Sequence, residues 1–469
     1  MLFPTPEFAV FLAVVVTLAA LLRDDDGQRK GFLVLASYVF YGWWSWKYAA
    51  LLAASSCFAW ACGLGIAAWR GSRRGNLLFA FAVTVDLSVL GWFKYIDFGL
   101  AQANAVLEFA GFSLSFDLVG VAVPVGVSFF TFHAISYVAD LRSGRLSTAA
   151  SLRDVLLYEA FFPQLVAGPI VRASSFLPQL ASPAGLRPVP FARVAALIIG
   201  GLFKKVVLAP ALAAAADPAF SDPASRGAVD LAFAAVAYSM QILCDFSAYT
   251  DIAIGVALLL GYEFPLNFNR PYSAVGFRDF WRRWHVSLSS WLRDYLYVPL
   301  GGGRGGFGRT AFALMATMLL GGLWHGAAWN FVLWGCLHGT FLVAERAAMR
   351  CGGFLPSGAP ARFAAGALTF CLVTLAWIPF RSPDLSAAIE FMAGFGRFST
   401  ASTLVTPSAT AAIMAMAATQ ALPSGWAERS MAGLSRLGAI PLGVTAGVIV
   451  SMIMAMGPDG VPAFIYFQF

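Results

Sequence analysis

Apolar runs separated by short charged turns dominate this chain. A helix needs about 20 apolar residues to cross a bilayer. Runs near 8–22, 31–50, 51–69 and 77–98 read as such helices, joined by short basic loops such as RGSRRG. Further ones fall near 190–212, 363–380, 405–421 and 438–456. The pattern predicts an all-α polytopic membrane protein with about ten to twelve transmembrane helices.

Four stretches break the pattern. In VAVPVGVSFFTFHAISYVADL (121–141), Pro124 and Gly126 disturb the helix start and His133 reads as a packing residue. YEAFFPQLVAGPIVRASSFLPQL (158–180) is apolar but carries Pro163, Gly168, Pro169 and Pro178, too many breaks for a straight helix. A bent or re-entrant piece buried in protein is expected there, with Gln164 and Arg172 at membrane depth or its rim. Residues 229–262 and 311–344 are too long for single spans. The first is interrupted by Gln241, Asp245, Ser247, Tyr249, Thr250 and Asp251, and the second by His325, Asn330 and His338. Each is expected to bend, break or form two helices. Intramembrane Asp86, Asp245 and Asp251 are costly unless paired or wetted, so they mark either a hydrogen-bond network or a polar cavity.

The segment Phe280 to Tyr297 is too charged to span. Trp284, His285, Leu288, Trp291, Leu292 and Tyr295 share one helical face, with Arg283, Ser287, Ser290 and Asp294 opposite. This predicts an amphipathic interfacial or re-entrant helix with His285 turned into the protein.

Composition agrees with the class. Of 469 residues, 59% are hydrophobic and 12% charged, and the mean hydropathy is +0.74. Soluble domains carry roughly 25% charged residues. The first apolar run lacks a basic leader and a cleavage site, so it reads as a retained span. The basic residues after it favour an outside N-terminus. Six cysteines without a CxxC pair read as free thiols, with neither a zinc site nor a disulfide framework. No repeat or soluble domain stands out, so residues 1–469 read as one membrane domain. Net charge is +7 and unevenly placed. Between Arg270 and Arg309, seven arginines against Asp279 and Asp294 leave +5. That is a cytoplasmic loop under the positive-inside bias, and equally a basic mouth for an anionic substrate.

Three of the four histidines (His285, His325 and His338) fall between Arg278 and Gly339. His325 sits in GGLWHGAAW, beside Trp324 and among Gly321, Gly322 and Gly326. The Gly322–Gly326 pair permits close backbone approach, and glycine leaves room for a ligand beside the imidazole. A histidine in apolar surroundings is a neutral proton acceptor. His338 lies about 220° further around a straight helix, so the two share a site only if the helix breaks between them. Asp245 or Asp251 could orient His325 from another helix. PLGGGRGGFG (299–308) lacks the GK[ST] ending of a P-loop and reads as a flexible loop, although Arg304 and Arg309 could touch phosphates.

FFPQLVAGPIVR, CDFSAYTDIAIG, PLNFNRPY, FRDFWRRWHVSLSSWLRDYLYVPLGG and GLWHGAAWNFVLWGCLHG occur in that order. Together they resemble the membrane-bound O-acyltransferase family, in its bacterial alginate O-acetylation branch. YGWW, PVGVSFFTFHAISYVAD and the terminal FIYFQF extend the similarity, which is best over 121–345. The resemblance implies a multi-pass protein of the bacterial inner membrane with a tunnel crossing the bilayer. It implies that His325 is catalytic and that His285 lies on the same pathway.

The family moves an acyl group from a cytoplasmic thioester to a hydroxyl, and this branch works with extracytoplasmic partner proteins that acetylate a secreted polysaccharide. Acetyl-CoA is then a substrate, with no bound cofactor, metal or nucleic acid. His338, Asp245, Asn330, Trp324, Arg282, Arg283 and Arg293 are further candidates for the substrate path. The arginines suit CoA phosphates and Asn330 an oxyanion. Peptidoglycan O-acetylation or D-alanyl transfer to teichoic acid would fit the same fold. A transporter or flippase would fit the intramembrane Asp and His, but the paired broken segments that mark transporter sites are missing.

Overall fold

The computed structural model describes residues 1, 3–166, 168–353, 357–398, 402–422, 433 and 438–457. The terminal FIYFQF motif lies outside them. All regular structure among the described residues is helical. Among the described residues, six helices are long and apolar enough to cross a membrane: Trp46–Ala68, Arg73–Phe109, Phe191–Ser221, Ala228–Leu259, Gly306–His325 and Ala359–Arg381. Pro6–Leu21, Leu385–Gly396 and Ile440–Met456 are shorter apolar helices. The all-α polytopic architecture is the one expected, with about ten to twelve spans read from the sequence. Asp26–Gly42, at 17 residues, is short for a span and opens on charged residues, and Trp329–Arg350 closes on charged residues, which keeps both outside the set of six.

The described chain divides into two compact units. The first comprises Met1–Val189 with Val256–Phe264. Four of its helix starts are capped by side chains: Thr5, Asp25, Ser72 and Ser151 each accept a backbone N–H of the first turn. Tyr41, Leu52, Leu90, Phe130 and Leu165 pack into its core. The proline-rich 158–180 stretch forms Leu152–Ala160, Phe162–Leu165 and Ala173–Leu180 rather than a span, as the prolines require. Gln164 is buried within it and donates to the Tyr158 carbonyl oxygen. His133 is fully buried in this unit, its ring 5.3 Å from that of Tyr158.

The second unit comprises Pro190–Gly255 and Pro265–Phe469. Contrary to expectation, residues 229–262 do not break: Ala228–Leu259 is one helix of 32 residues. It lacks proline, and its polar side chains find partners instead of ending it. Asp245 accepts from Lys205 Nζ at 2.6 Å, and Asp251 from Lys204 Nζ at 2.6 Å. Ser247 Oγ lies 2.7 Å from Lys204 Nζ. Both lysines lie mid-helix in Phe191–Ser221, where Lys204–Leu208 form a wide π turn, rather than near the end of a span. Paired, these charges can occupy membrane depth.

The 311–344 run does break. Gly306–His325 ends at His325, and Trp329–Arg350 starts four residues later. The two helices lie against each other through glycine. A Cβ on Gly322 would collide with the Phe331 carbonyl oxygen, and one on Gly335 with that of Met318. Overpacking of this kind costs about 1–3 kcal/mol, occasionally more. Gly335→Val is therefore expected to lower the thermal midpoint of the solubilised protein. Gly91→Ala, where a Cβ meets nothing within 4 Å, should leave it unchanged or raised.

Candidate functional site

The helix break gathers the histidines. His325 closes one helix while His338 lies inside the next, and both rings pack against Trp334, at 5.1 and 4.7 Å between centroids. On its other side His325 meets Trp324 at 5.0 Å, and Trp324 meets His285 at 6.2 Å. Phe380 closes over His325 at 5.1 Å. Three histidines thus share one aromatic cluster, and all are buried. Trp324 is the ring between the two motif histidines.

The Phe280–Tyr297 segment is not the continuous amphipathic helix expected. It consists of Phe277–Trp281, then Val286–Leu292, then the wide turn Arg293–Tyr297. His285 stands at the first break with φ 42°, a left-handed conformation uncommon outside glycine. Periodicity placed Ser287 on the polar face, yet the break turns it inward and buries it.

Asn267, from PLNFNRPY, holds this turn. Its carbonyl oxygen accepts from Val286 N at 2.9 Å, and its side-chain oxygen from Ser287 N at 3.2 Å and Ser287 Oγ at 2.8 Å. The same Oδ1 lies 3.2 Å from His285 Nδ1. The Phe246 ring stands perpendicular to the His285 ring, 4.7 Å between centroids. His285 lies outside the spanning helices, and burial pushes its imidazole down to about 3, leaving it neutral. Reasoning from helical faces missed Asn267, although its motif was visible.

A cavity of about 510 Å³ opens beside the cluster. Arg278, Arg282, Arg293 and Arg346 line it, with Glu345 as the carboxylate. Glu345 accepts from the backbone N–H groups of Phe277 and Arg278. Among the described residues, the Arg278, Arg282 and Arg346 side chains form no ion pair. Trp281 belongs to the wall and also packs on His338 at 5.2 Å, so the cavity borders the histidine cluster. Such a pocket is large enough for part of a nucleotide-sized ligand and carries excess positive charge.

The other candidates are placed as follows. Arg283 bonds Asp279 at 2.8 Å and does not line the cavity. Arg309, in the first turn of Gly306–His325, donates to the Leu300 carbonyl oxygen of the preceding loop. Asp245 and Asp251 take the lysines. Asn330 donates to the Ser382 carbonyl oxygen at 2.7 Å, tying the helix break to the end of Ala359–Arg381. Arg346, far along the chain from the basic loop, was not anticipated. Among the described residues no cluster of His, Cys, Asp and Glu could hold a metal ion.

Comparison with known proteins decides the family. The family model for the membrane-bound O-acyltransferases, MBOAT, matches residues 38–354. The chain belongs to the membrane-bound O-acyltransferase family. Like the rest of that family it is an O-acyltransferase and a multi-pass membrane protein. A probable alginate O-acetylase of Azotobacter vinelandii is 39% identical over 392 residues, covering 83% of this chain and 77% of the relative. The peptidoglycan O-acetyltransferase of Helicobacter pylori is 34% identical over 428 residues, covering 84% and 79%. The teichoic acid D-alanyltransferase of Bacillus subtilis is 30% identical over 179 residues, covering 37% and 45%. The MBOAT match encloses both motif histidines and the whole arginine-lined cavity.

Proposed function

We propose that this MBOAT enzyme, in a bacterial inner membrane, transfers acetyl from cytoplasmic acetyl-CoA toward hydroxyls of a secreted, alginate-like polysaccharide, working with extracytoplasmic partner proteins. The observation that carries the reading is the arginine-lined cavity bordering a buried histidine cluster. Arg278, Arg282, Arg293 and Arg346 meet the CoA phosphates, which arginine binds through charge-assisted hydrogen bonds.

His325 is the base. The acceptor hydroxyl gives its proton to the imidazole as its oxygen attacks the thioester carbonyl carbon. The C–O bond forms, the C–S bond breaks, and the CoA thiolate leaves and takes the proton back. His285 and His338 line the acetyl path through Trp324 and Trp334.

A second cavity, of about 540 Å³, lies at Asp217, Ser221, Arg381 and Pro383, next to Ser382, which Asn330 ties to the helix break. The arginine-lined cavity reaches Thr310 and Met349, at the opposite end of the same helix pair. That separation supports separate access for donor and acceptor. The Helicobacter relative makes peptidoglycan the second acceptor to test.

The test uses sealed inside-out vesicles containing the enzyme and its partner proteins, with acetyl-labelled acetyl-CoA. Label is expected to move into polymer or partner protein while free CoA thiol appears. Arg282→Ala with Arg346→Ala should raise the KM for acetyl-CoA about tenfold or more, with kcat little changed. Transfer from a D-alanyl carrier protein instead of acetyl-CoA would overturn the acetyl reading.

A further inference from the structure

The Ser287 backbone N–H can only donate, so the Asn267 side-chain atom 3.2 Å away must be the carbonyl oxygen. The Ser287 hydroxyl, 2.8 Å from the same atom, agrees. An oxygen lies equally close to His285 Nδ1, at 3.2 Å, so that nitrogen must carry the proton when the ring is neutral. The lone pair is then on Nε2. That nitrogen is buried and has no hydrogen-bond partner among the described residues.

We infer that Asn267 is a positioning residue that fixes His285 as the Nδ1–H tautomer, leaving Nε2 as a hydrogen-bond and proton acceptor within the aromatic cluster. The geometry is over-determined. The Asn267 side chain is buried, its carbonyl holds Val286 N, and Asn269 N binds the Arg283 carbonyl oxygen across the same turn. Ser287 Oγ also lies 3.5 Å from Nδ1 and can share its proton as a second acceptor. These bonds keep His285 at its positive φ, a conformation that persists only where its surroundings impose it. The arrangement follows the logic of a base oriented by a third group through its far nitrogen. An acceptor-only Nε2 can hold an incoming hydroxyl by its proton, a use that rests on the acyl-transfer reading above.

The chain has four histidines, so ring nitrogens can be resolved in protein labelled with 15N-histidine and reconstituted in bilayers. The His285 signals are assigned by their loss in His285→Gln. Wild type is expected to show a protonated, pyrrole-type Nδ1 and an unprotonated, pyridine-type Nε2. In Asn267→Leu that preference should be lost, and kcat should fall about 100-fold while the KM for acetyl-CoA stays within about twofold. An Nε2–H tautomer in wild type, or an unchanged tautomer in Asn267→Leu, would overturn the inference. The wild-type spectrum decides even if the variant fails to fold. Correct tautomer without acyl transfer from acetyl-CoA would instead count against the donor reading and leave the role of Asn267 standing.

Discussion

His325→Ala is expected to lower acyl transfer by about three orders of magnitude while the protein remains inserted and monodisperse, the range a lost general base covers. The expectation rests on position. His325 ends Gly306–His325 at the break, pressed between Trp324, Trp334 and Phe380. Its backbone is helical and its neighbours are rings, so removing the imidazole leaves the surrounding scaffold in place. His325→Gln keeps much of the volume and should be as inactive, which separates loss of the base from loss of packing. His285→Ala should also fall sharply. The double variant should lose little beyond the worse single one, because groups acting as a unit are not additive. Label transfer from acetyl-CoA in vesicles is the measurement. A His325→Ala protein with wild-type transfer would remove this residue from the chemistry.

Lys205→Met is expected to destabilise the fold by about 3–5 kcal/mol, since it leaves the Asp245 carboxylate buried without its cation. Both side chains are almost fully enclosed, at 2% and 4% exposure. Adding Asp245→Leu should recover most of the loss, because a buried pair is often worth little against a well-packed apolar replacement. Thermal loss of the monodisperse species checks both. A Lys205→Met protein as stable as wild type would show that the carboxylate is neutral or otherwise held.

These particulars show what the sequence carried. The break between His325 and Trp329 was legible because 34 apolar residues exceed one span and glycine flanks the histidine. The same length argument failed for Ala228–Leu259, where polar residues looked like interruptions. Their partners, Lys204 and Lys205, come from about forty residues away, and a long-range ion pair leaves no local trace. His285 was correctly turned inward, but the face analysis assumed a straight helix and could not anticipate a left-handed residue. Arg282 and Arg293 were read from local charge, whereas Arg346 joins them only through the pairing of Gly306–His325 with Trp329–Arg350. The motif resemblance named His325 and His285, and the fold brings them to either side of Trp324.

The double lysine–aspartate fastening also has a mechanical consequence. Asp245 and Asp251 lie six residues apart, about 9 Å along the Ala228–Leu259 axis. Each is bolted to the Phe191–Ser221 helix. A rod held at one point can pivot, and one held by grease alone can slide, but one held at two points does neither. Phe246, next to Asp245 on that rod, is the wall against which the His285 ring stands at right angles. The position of that wall along the Phe191–Ser221 helix is therefore set by electrostatic bolts rather than by apolar packing alone.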